Sequence, residues 1–476
     1  MTPVWLALRL PSLALEALAP VPSPSAIVEH GRVVIGDAAA QAAGVAPGTG
    51  VAAARALSPA IALLARDRPR EAAALRALAC WAGKLTSRVA VLTDGLLLEV
   101  GTCLRLFGGL ETLYTLALSG ATAQGFSVVA ATAPTPLAAE WLARWRPGMR
   151  CAADRLKACL DGLPVEALPG EAATALGRFG LRTLGEVRRL PSAALSRRVG
   201  EESLRQLGRA YGECVDPRPD FVFPERFAQA LTLPAPVDHA AALLFAARRL
   251  SAALSGWLAV RQSGVREVRL RLQHRQDETS LYLRFAEATA DEDRLERVLR
   301  ERLERTSLTA PVEVLSLEAA QIEALCPRSG SLLAHVPAGQ TTISALLERL
   351  AARLGEDRVY RIATQADHRP EGATRRLSSF GPYVAGALSP QPRSPRPFWL
   401  LEAPEPLREV DGRPHRRGPL TLLSSPERIE SGWWDSGEQQ GDVRRDYFIA
   451  LDRDGTWLWI YRECRAGGWF LHGYFA

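Results

Sequence analysis

Few residues in this chain have the type and spacing for chemistry. The segment Thr93-Asp94-Gly95-Leu96-Leu97-Leu98-Glu99-Val100 offers two carboxylates, Asp94 and Glu99, and the N-terminal segment Val4-Trp5-Leu6-Ala7-Leu8-Arg9-Leu10-Pro11 offers none. Holding two divalent cations about 4 Å apart takes several anionic oxygens. One aspartate beside a bare glycine does not supply them. Asp94-Gly95 is also a good hairpin-turn dipeptide, so Asp94 reads either as a turn residue or as a residual metal ligand. Glu99, on the following strand, faces either solvent, as a plain surface residue, or the cleft. Leu8 and Leu10 alternate with Val4 and Leu6 and read as the inward face of a half-buried strand.

A second chemical feature is cationic. A strand over residues 265–274 puts Val268, Leu270 and Leu272 on one face and Arg269, Arg271 and Gln273 on the other. With Arg266 and Arg275 nearby, that row reads either as a contact to a DNA backbone or as a solvated sheet face. Phe179-Gly180-Leu181-Arg182-Thr183-Leu184-Gly185-Glu186-Val187 looks like the latter half of a helix-hairpin-helix, whose amides at a helix start can hold a phosphate. Gly180, Arg182 and Thr183 would be the contacts, the other reading being a structural turn.

The elements that must position these residues fall into modules. The pattern predicts a first strand closed by Pro20, Pro22 and Pro24, then a small alanine-rich stretch over 26–79. A helix at 75–88, strands at 90–92, 96–100 and 126–132, and a helix at 136–145 follow. Residues 161–220 read as short helices. Residues 224–320 show a helix at 238–259, strands at 265–274 and around 281–285, a helix at 291–305 and a strand at 312–317. An amphipathic helix is expected at 343–354, with Ile343, Leu346, Leu347 and Leu350 on one face, and a Pro/Ser/Arg-rich stretch at 389–397.

Bulk composition limits the options. A chain of 476 residues suggests about three or four domains. The seven cysteines are scattered, without a C-x-x-C pair, which argues against a disulfide framework or a zinc site and fits a reducing cytoplasm. The N-terminus lacks a basic region followed by an apolar core, and no stretch approaches about 18 apolar residues. Neither a signal peptide nor a membrane span is expected. Net charge of +6 permits nucleic-acid binding without requiring it.

Position by position, the chain resembles the Y-family translesion polymerases, and most closely their ImuB branch. Active members begin I-x-x-D-x-D, and Leu8 and Leu10 fall at those two aspartates. Their S-I-D-E-A-Y-L-D motif aligns with residues 92–99, leaving Asp94 as the matching carboxylate and Gly95 in place of the glutamate. In the fingers motif Y-E-A-R-x-x-G-V-x-x-G-M, the tyrosine and arginine that grip the triphosphate are Ala38 and Gln41, while Gly44 and Gly48 are kept. The phosphate-facing lysine of A-P-N-K-x-x-A-K-I-A is Glu140, and Arg105-Leu106-Phe107-Gly108-Gly109 sits at the L-F-G-G signature of the ImuB branch.

The resemblance implies a multidomain α+β right hand. Its palm would comprise 1–25 and 80–160, its fingers 26–79, its helical thumb 161–220 and its little finger 224–320. A C-terminal extension over 327–476 would end in a small aromatic-rich β module. The R-I-x-x-G-W-W-D … R-R-D-Y-F … W-F-L-H-G-x-F-A text there is the most family-specific in the chain. It nominates Trp433, Trp434, Tyr447 and Phe448 as partner-binding residues, and the loop after the little finger adds Leu332 and Leu333. The implied function is a non-catalytic, DNA-binding adaptor in SOS-induced mutagenic lesion bypass, without cofactor or metal. Implied partners are primer-template DNA, an error-prone C-family polymerase and a RecA-like accessory protein. The branch usually binds the sliding clamp through a Q-L-x-L-F peptide, but only Gly330-Ser331-Leu332-Leu333 stands here. The alternative is a weakly active polymerase whose metal site is rebuilt from Asp94, Glu99 and another acid.

Overall fold

The computed structural model describes residues 3–18, 21–325, 343–380, 395–432 and 443–475. The chain forms two compact units, Met1–Arg353 and Leu354–Ala476. Leu332, Leu333, Trp433 and Trp434 lie outside the described residues, as does most of the Pro/Ser/Arg-rich stretch.

The first unit is built from three sheets and a cluster of short helices. Strand β1 (Trp5–Arg9) leads through the short helix α1 (Leu13–Glu16) into a small module of β2 (Ser25–Glu29), β3 (Arg32–Gly36), α2 (Ala38–Ala42), α3 (Val51–Leu57) and β4 (Ala62–Ala65), in strand order β3-β2-β4. Helix α4 (Arg68–Ala82) returns to the central antiparallel sheet, completed by β5 (Val89–Val91), β6 (Gly95–Glu99) and β7 (Val129–Ala133) in the order β5-β6-β1-β7. Helices α5 (Leu110–Ala123) and α6 (Pro136–Trp145) flank it. Strand alternation gives the central sheet two cores. Leu6, Leu8, Leu10, Leu96 and Leu98 pack against α4 and α5 on one face. Trp5, Ala7, Leu97, Ala131 and Ala133 pack against α6 and the helices that follow on the other.

Those helices are α7 (Leu156–Asp161), α8 (Gly170–Arg178), α9 (Leu184–Arg188) and α10 (Ser192–Ala210). The third sheet, in the order β10-β9-β11-β8, comprises β8 (Ala228–Val237), β9 (Ser263–His274), β10 (Glu278–Thr289) and β11 (Val312–Ala324), backed on one face by α11 (Leu244–Val260) and α12 (Glu292–Glu304). Residues Ala240–Val260, in the region of the helix expected at 238–259, are long and apolar enough to cross a membrane by length and composition. The window is 72% buried within the fold, as befits a core helix.

Two boundaries differ from expectation for packing reasons. Residues 68–79 belong to the central sheet, because Leu75, Leu78 and Ala79 of α4 fill its core beside Leu6 and Leu8. Helix α13 (Ile343–Leu354) belongs with the third sheet and not with the C-terminal extension. Its Glu348 is buried and receives Arg294 Nε at 2.8 Å and the Ala286 amide at 2.7 Å. A buried carboxylate needs such partners, and here they all come from the third sheet and its helix.

The third module also sits tightly on the central one. A Cβ built at Gly256 of α11 would lie 2.1 Å from the Cys80 carbonyl oxygen of α4, so only glycine lets these helices approach. The Phe221 amide donates to the Val89 carbonyl at 2.6 Å, extending the connecting segment along the edge strand, and Lys84 pairs with Glu292 at 2.7 Å.

The second unit holds a hairpin, β12 (Tyr360–Thr364) with β13 (Thr374–Ser378), and a seven-stranded sheet. That sheet comprises β14 (Trp399–Val410), β15 (Arg413–His415), β16 (Thr421–Leu422), β17 (Glu427–Ser431), β18 (Val443–Leu451), β19 (Trp457–Glu463) and β20 (Trp469–Tyr474). Leu458, Ile460, Trp469 and Leu471 lie in one core, and Tyr447, Trp459 and Tyr461 in the other.

Candidate functional site

The turn that presents Asp94 is set by β5 and β6. The Leu92 amide donates to the Gly95 carbonyl at 2.9 Å, and the Leu10 amide to the Asp94 carbonyl at 2.7 Å, which pins the turn to the end of β1. Arg9 lies opposite Gly95 in the strand register. Its Nε donates to Asp94 Oδ2 at 2.9 Å, with both side chains partly exposed. Asp94 is thus a turn residue whose carboxylate is held by an internal guanidinium.

Gly95 is required by the backbone. A Cβ there would lie 2.0 Å from the Leu8 carbonyl oxygen and 3.0 Å from the Arg9 Cα, so no carboxylate fits at this position without moving β1. Leu8 and Leu10 are fully buried in the core on the opposite face and do not line the cleft. Arg9, between them in sequence, and not either leucine, is the residue of β1 that faces Asp94 in the cleft. A lone basic residue between two leucines at a strand end was the available signal.

Asp94 and Arg9 line an open cleft of about 960 Å³ between β1, α6, α8, α10 and the segment after it. The charged residues lining it are Arg9, Arg144, Arg209 and Arg218 against Asp94, Glu140, Glu166 and Asp216, four of each sign. Thr135 caps α6 and Pro136 opens it, which fixes Glu140 on the cleft side. Asp216 accepts the Leu137 amide at 3.0 Å and pairs with Arg218 at 3.1 Å. Arg218 also approaches Glu140 Oε2 at 3.2 Å, though without the alignment of a hydrogen bond. Burial pushes the Glu140 carboxyl above its usual range against the pull of Arg218, and Asp94 and Asp216 add to the push. The lining is electrically balanced. It has no surplus of negative charge for a metal pair and no surplus of positive charge for a triphosphate.

The other anticipated members are elsewhere. Glu99 does not face solvent: it is buried at the far end of β6, where Oε1 accepts the Gly101 amide at 3.0 Å and the Val4 amide at 3.4 Å. The length of β6 separates it from Asp94. Ala38 and Gln41 are exposed on α2 and do not line the cleft, and the Gln41 amide turns back to the Gly36 carbonyl at 2.7 Å. Among the described residues no group of three or more His, Cys, Asp or Glu side chains is placed to hold a metal.

The candidate DNA contacts meet internal partners too. At the start of α9 the Arg182 and Thr183 amides, meant for a phosphate, donate to Glu186 Oε2 at 2.6 and 3.2 Å, while Thr183 Oγ1 accepts the Glu186 amide at 3.3 Å. The first of these bonds, with the second, holds the Glu186 carboxyl below its usual range. This capping box takes the anion's place, while the Arg182 side chain stays exposed and Gly180 makes the preceding turn at φ +81°.

On the outer face of the third sheet the arginine row is real but not bare. Arg266 pairs with Glu323 at 2.7 Å, Arg271 with Glu318 at 2.7 Å, and Arg284 with Glu267 at 2.7 Å. Arg269 bonds Ser280 Oγ at 3.0 Å and lies 3.6 Å from Glu278. These guanidiniums are partly covered by their partners, which corrects the expectation of an exposed row. Arg275, in the turn after β9, is exposed.

In the C-terminal sheet, Tyr447 is buried. Its ring stacks on Trp459 at 4.1 Å and its hydroxyl meets His472 Nδ1 at 2.8 Å. Phe448 is half-buried against Trp469 at 5.2 Å. Both belong to the module's own cores, so Tyr447 offers no surface to a partner and Phe448 offers little.

The described residues therefore form a multidomain α+β protein in which a balanced cleft stands where β1 ends and β6 begins in a four-stranded antiparallel sheet. Among curated proteins, the chain is 30% identical over 467 residues to Protein ImuB of Caulobacter vibrioides, strain NA1000 / CB15N, covering 91% of this chain and all of the relative. It matches Protein ImuB of strain ATCC 19089 / CIP 103742 / CB 15 to the same extent. The chain belongs to the ImuB family. Similar solved structures include an insertion ternary complex of Dbh DNA polymerase, with TM-score 0.40 and 18% identity over 67% of this chain and 99% of that one. Another is DinB from Sulfolobus solfataricus, with TM-score 0.38 and 17% identity over 67% and 99%. No protein-family model matches the chain.

Proposed function

We propose that this chain is a non-catalytic homologue of the Y-family polymerases, acting as a DNA-binding adaptor in SOS-induced mutagenic translesion synthesis in the cytoplasm. It would hold primer-template DNA without sequence preference and recruit an error-prone C-family polymerase and a RecA-like accessory protein through its C-terminal region. The observation that carries the reading is the Arg9 guanidinium on Asp94, 2.9 Å from the one carboxylate that aligns with a polymerase metal ligand. Beside it, Gly95 cannot accept a side chain. A metal pair needs several oxygens in one place, and Arg9 and Arg218 already claim Asp94, Asp216 and Glu140.

The competing reading is a weakly active polymerase with a rebuilt metal site. It has to gather acids around Asp94. Glu99 is buried at the other end of β6, which leaves Glu166 of the cleft lining and, once freed from Arg218, Glu140 and Asp216.

Primer extension by the purified chain with Mg²⁺ or Mn²⁺, run beside a primer-template binding titration, separates the two. DNA binding without extension is the expected result. Extension that disappears with Asp94→Ala overturns the non-catalytic reading.

A further inference from the structure

The large aromatic residues most open to solvent in the C-terminal unit are not those the motif text nominated. Phe398, Trp399 and Trp457 are 84, 70 and 50% exposed, against the burial of Tyr447. All three lie at one end of the seven-stranded sheet. Trp399 is the register partner of Tyr474 across β14 and β20, and Tyr474 pairs in turn with Leu458 of β19. The Phe475 amide donates to the Trp457 carbonyl at 3.0 Å, which puts the start of β19 beside the end of β20.

The rings stand on both faces of that end. Tyr474, and with it Trp399, lies on the side of the core holding Leu458 and Leu471. Trp457 alternates with Trp459 and Tyr461 and lies on the other side. Cations frame them. Arg416 donates to the Tyr474 hydroxyl at 2.8 Å and stacks 5.3 Å from its ring centroid, and the Arg417 side chain is 83% exposed. Arg453 lies against Gly418 in the same corner. The aspartates there, Asp452 and Asp454, approach Arg416 and Arg417 only at 3.9 Å.

We propose that this aromatic end of the C-terminal sheet binds single-stranded DNA, its rings stacking bases and its arginines meeting phosphates. Stackable rings beside arginine are the general means of holding a single strand without sequence preference. Placement on both faces favours a flexible polymer over a protein surface: a strand can turn around the sheet end and stack on either side, whereas one flat interface covers one face. The proposal rests on the adaptor reading's claim that the chain works on DNA, and adds a second, strand-specific contact to it.

The test is a fluorescence-anisotropy titration of the full chain with labelled oligothymidylate about 20 nucleotides long and with a blunt duplex of equal length. Each ring removed from a stack costs roughly five- to a hundredfold in affinity. Trp399→Ala and Trp457→Ala should each weaken oligothymidylate binding by that factor and leave duplex binding within about twofold. Trp399→Phe should retain most of the affinity, and Arg417→Ala should flatten the single-strand salt slope by about 0.7. The inference is overturned if the Trp399→Ala/Trp457→Ala chain binds oligothymidylate as tightly as the parent. It also falls, while the adaptor reading survives, if the parent binds duplex but no single strand. Binding to neither probe sinks both.

Discussion

The cleft beside β1 and the outer face of the third sheet carry matched charge, four arginines against four carboxylates in each place. The balance has opposite consequences. In the cleft the carboxylates are what a metal would require, and a guanidinium holds the one at the turn. On the sheet the arginines are what a phosphate backbone would require, and glutamates hold those. An exposed ion pair contributes about 0–1 kcal/mol, so neither place is locked by the strength of its pairs. What differs is the backbone. On the sheet, a phosphate need only replace a glutamate at an open surface. In the cleft, a second carboxylate has no room at Gly95, because its Cβ would meet the Leu8 carbonyl at 2.0 Å. A cross-strand ion pair can open and close; a missing position cannot be regained by rotating side chains.

The largest expected effect comes from forcing that position. Gly95→Glu should destabilise the first unit by at least about 3 kcal/mol, as over-packing against backbone does, and should not create primer extension. Denaturant unfolding checks it, and a stable, active Gly95→Glu chain would erase the distinction drawn between the two places. A middle-sized effect belongs to the sheet. Replacing Arg269 and Arg271 together by alanine should weaken duplex binding several-fold and reduce the salt slope by about 2, with no change in sequence preference. Unchanged affinity would mean that the glutamates keep their arginines even when DNA is offered. The smallest effect is that of Arg9→Ala on stability, below about 1 kcal/mol for a half-exposed pair. A loss several times larger would show that Arg9 is a structural element and not an occupant of the cleft.

Much of the scaffold was legible in the sequence, and the charge pairing was not. Helix α6 is legible at its observed bounds because a Thr-Pro start and apolar spacing are local signals, and so is α13. Strands β9 and β10 followed from alternation. The partners of Arg271 and Arg266, by contrast, are Glu318 and Glu323, 47 and 57 residues away, joined only when β11 lies beside β9. Arg9 is not legible for a related reason. Alternation divides a strand into two faces, but which face looks into the cleft depends on α6 and the helices packed over it. Glu99 misled because a carboxylate at a strand end usually faces water. Here two amides of the chain take the place of water.

Arg9 is expected to keep the carboxylate at the turn from a catalytic metal. Titrating the purified chain with Mn²⁺ and following free Mn²⁺ by electron paramagnetic resonance tests it most directly, with Asp94→Ala and Arg9→Ala beside the parent. The parent and Asp94→Ala are expected to bind Mn²⁺ equally weakly, and Arg9→Ala to gain binding that Asp94→Ala then abolishes in the double variant. A site in the parent that disappears with Asp94→Ala would contradict it.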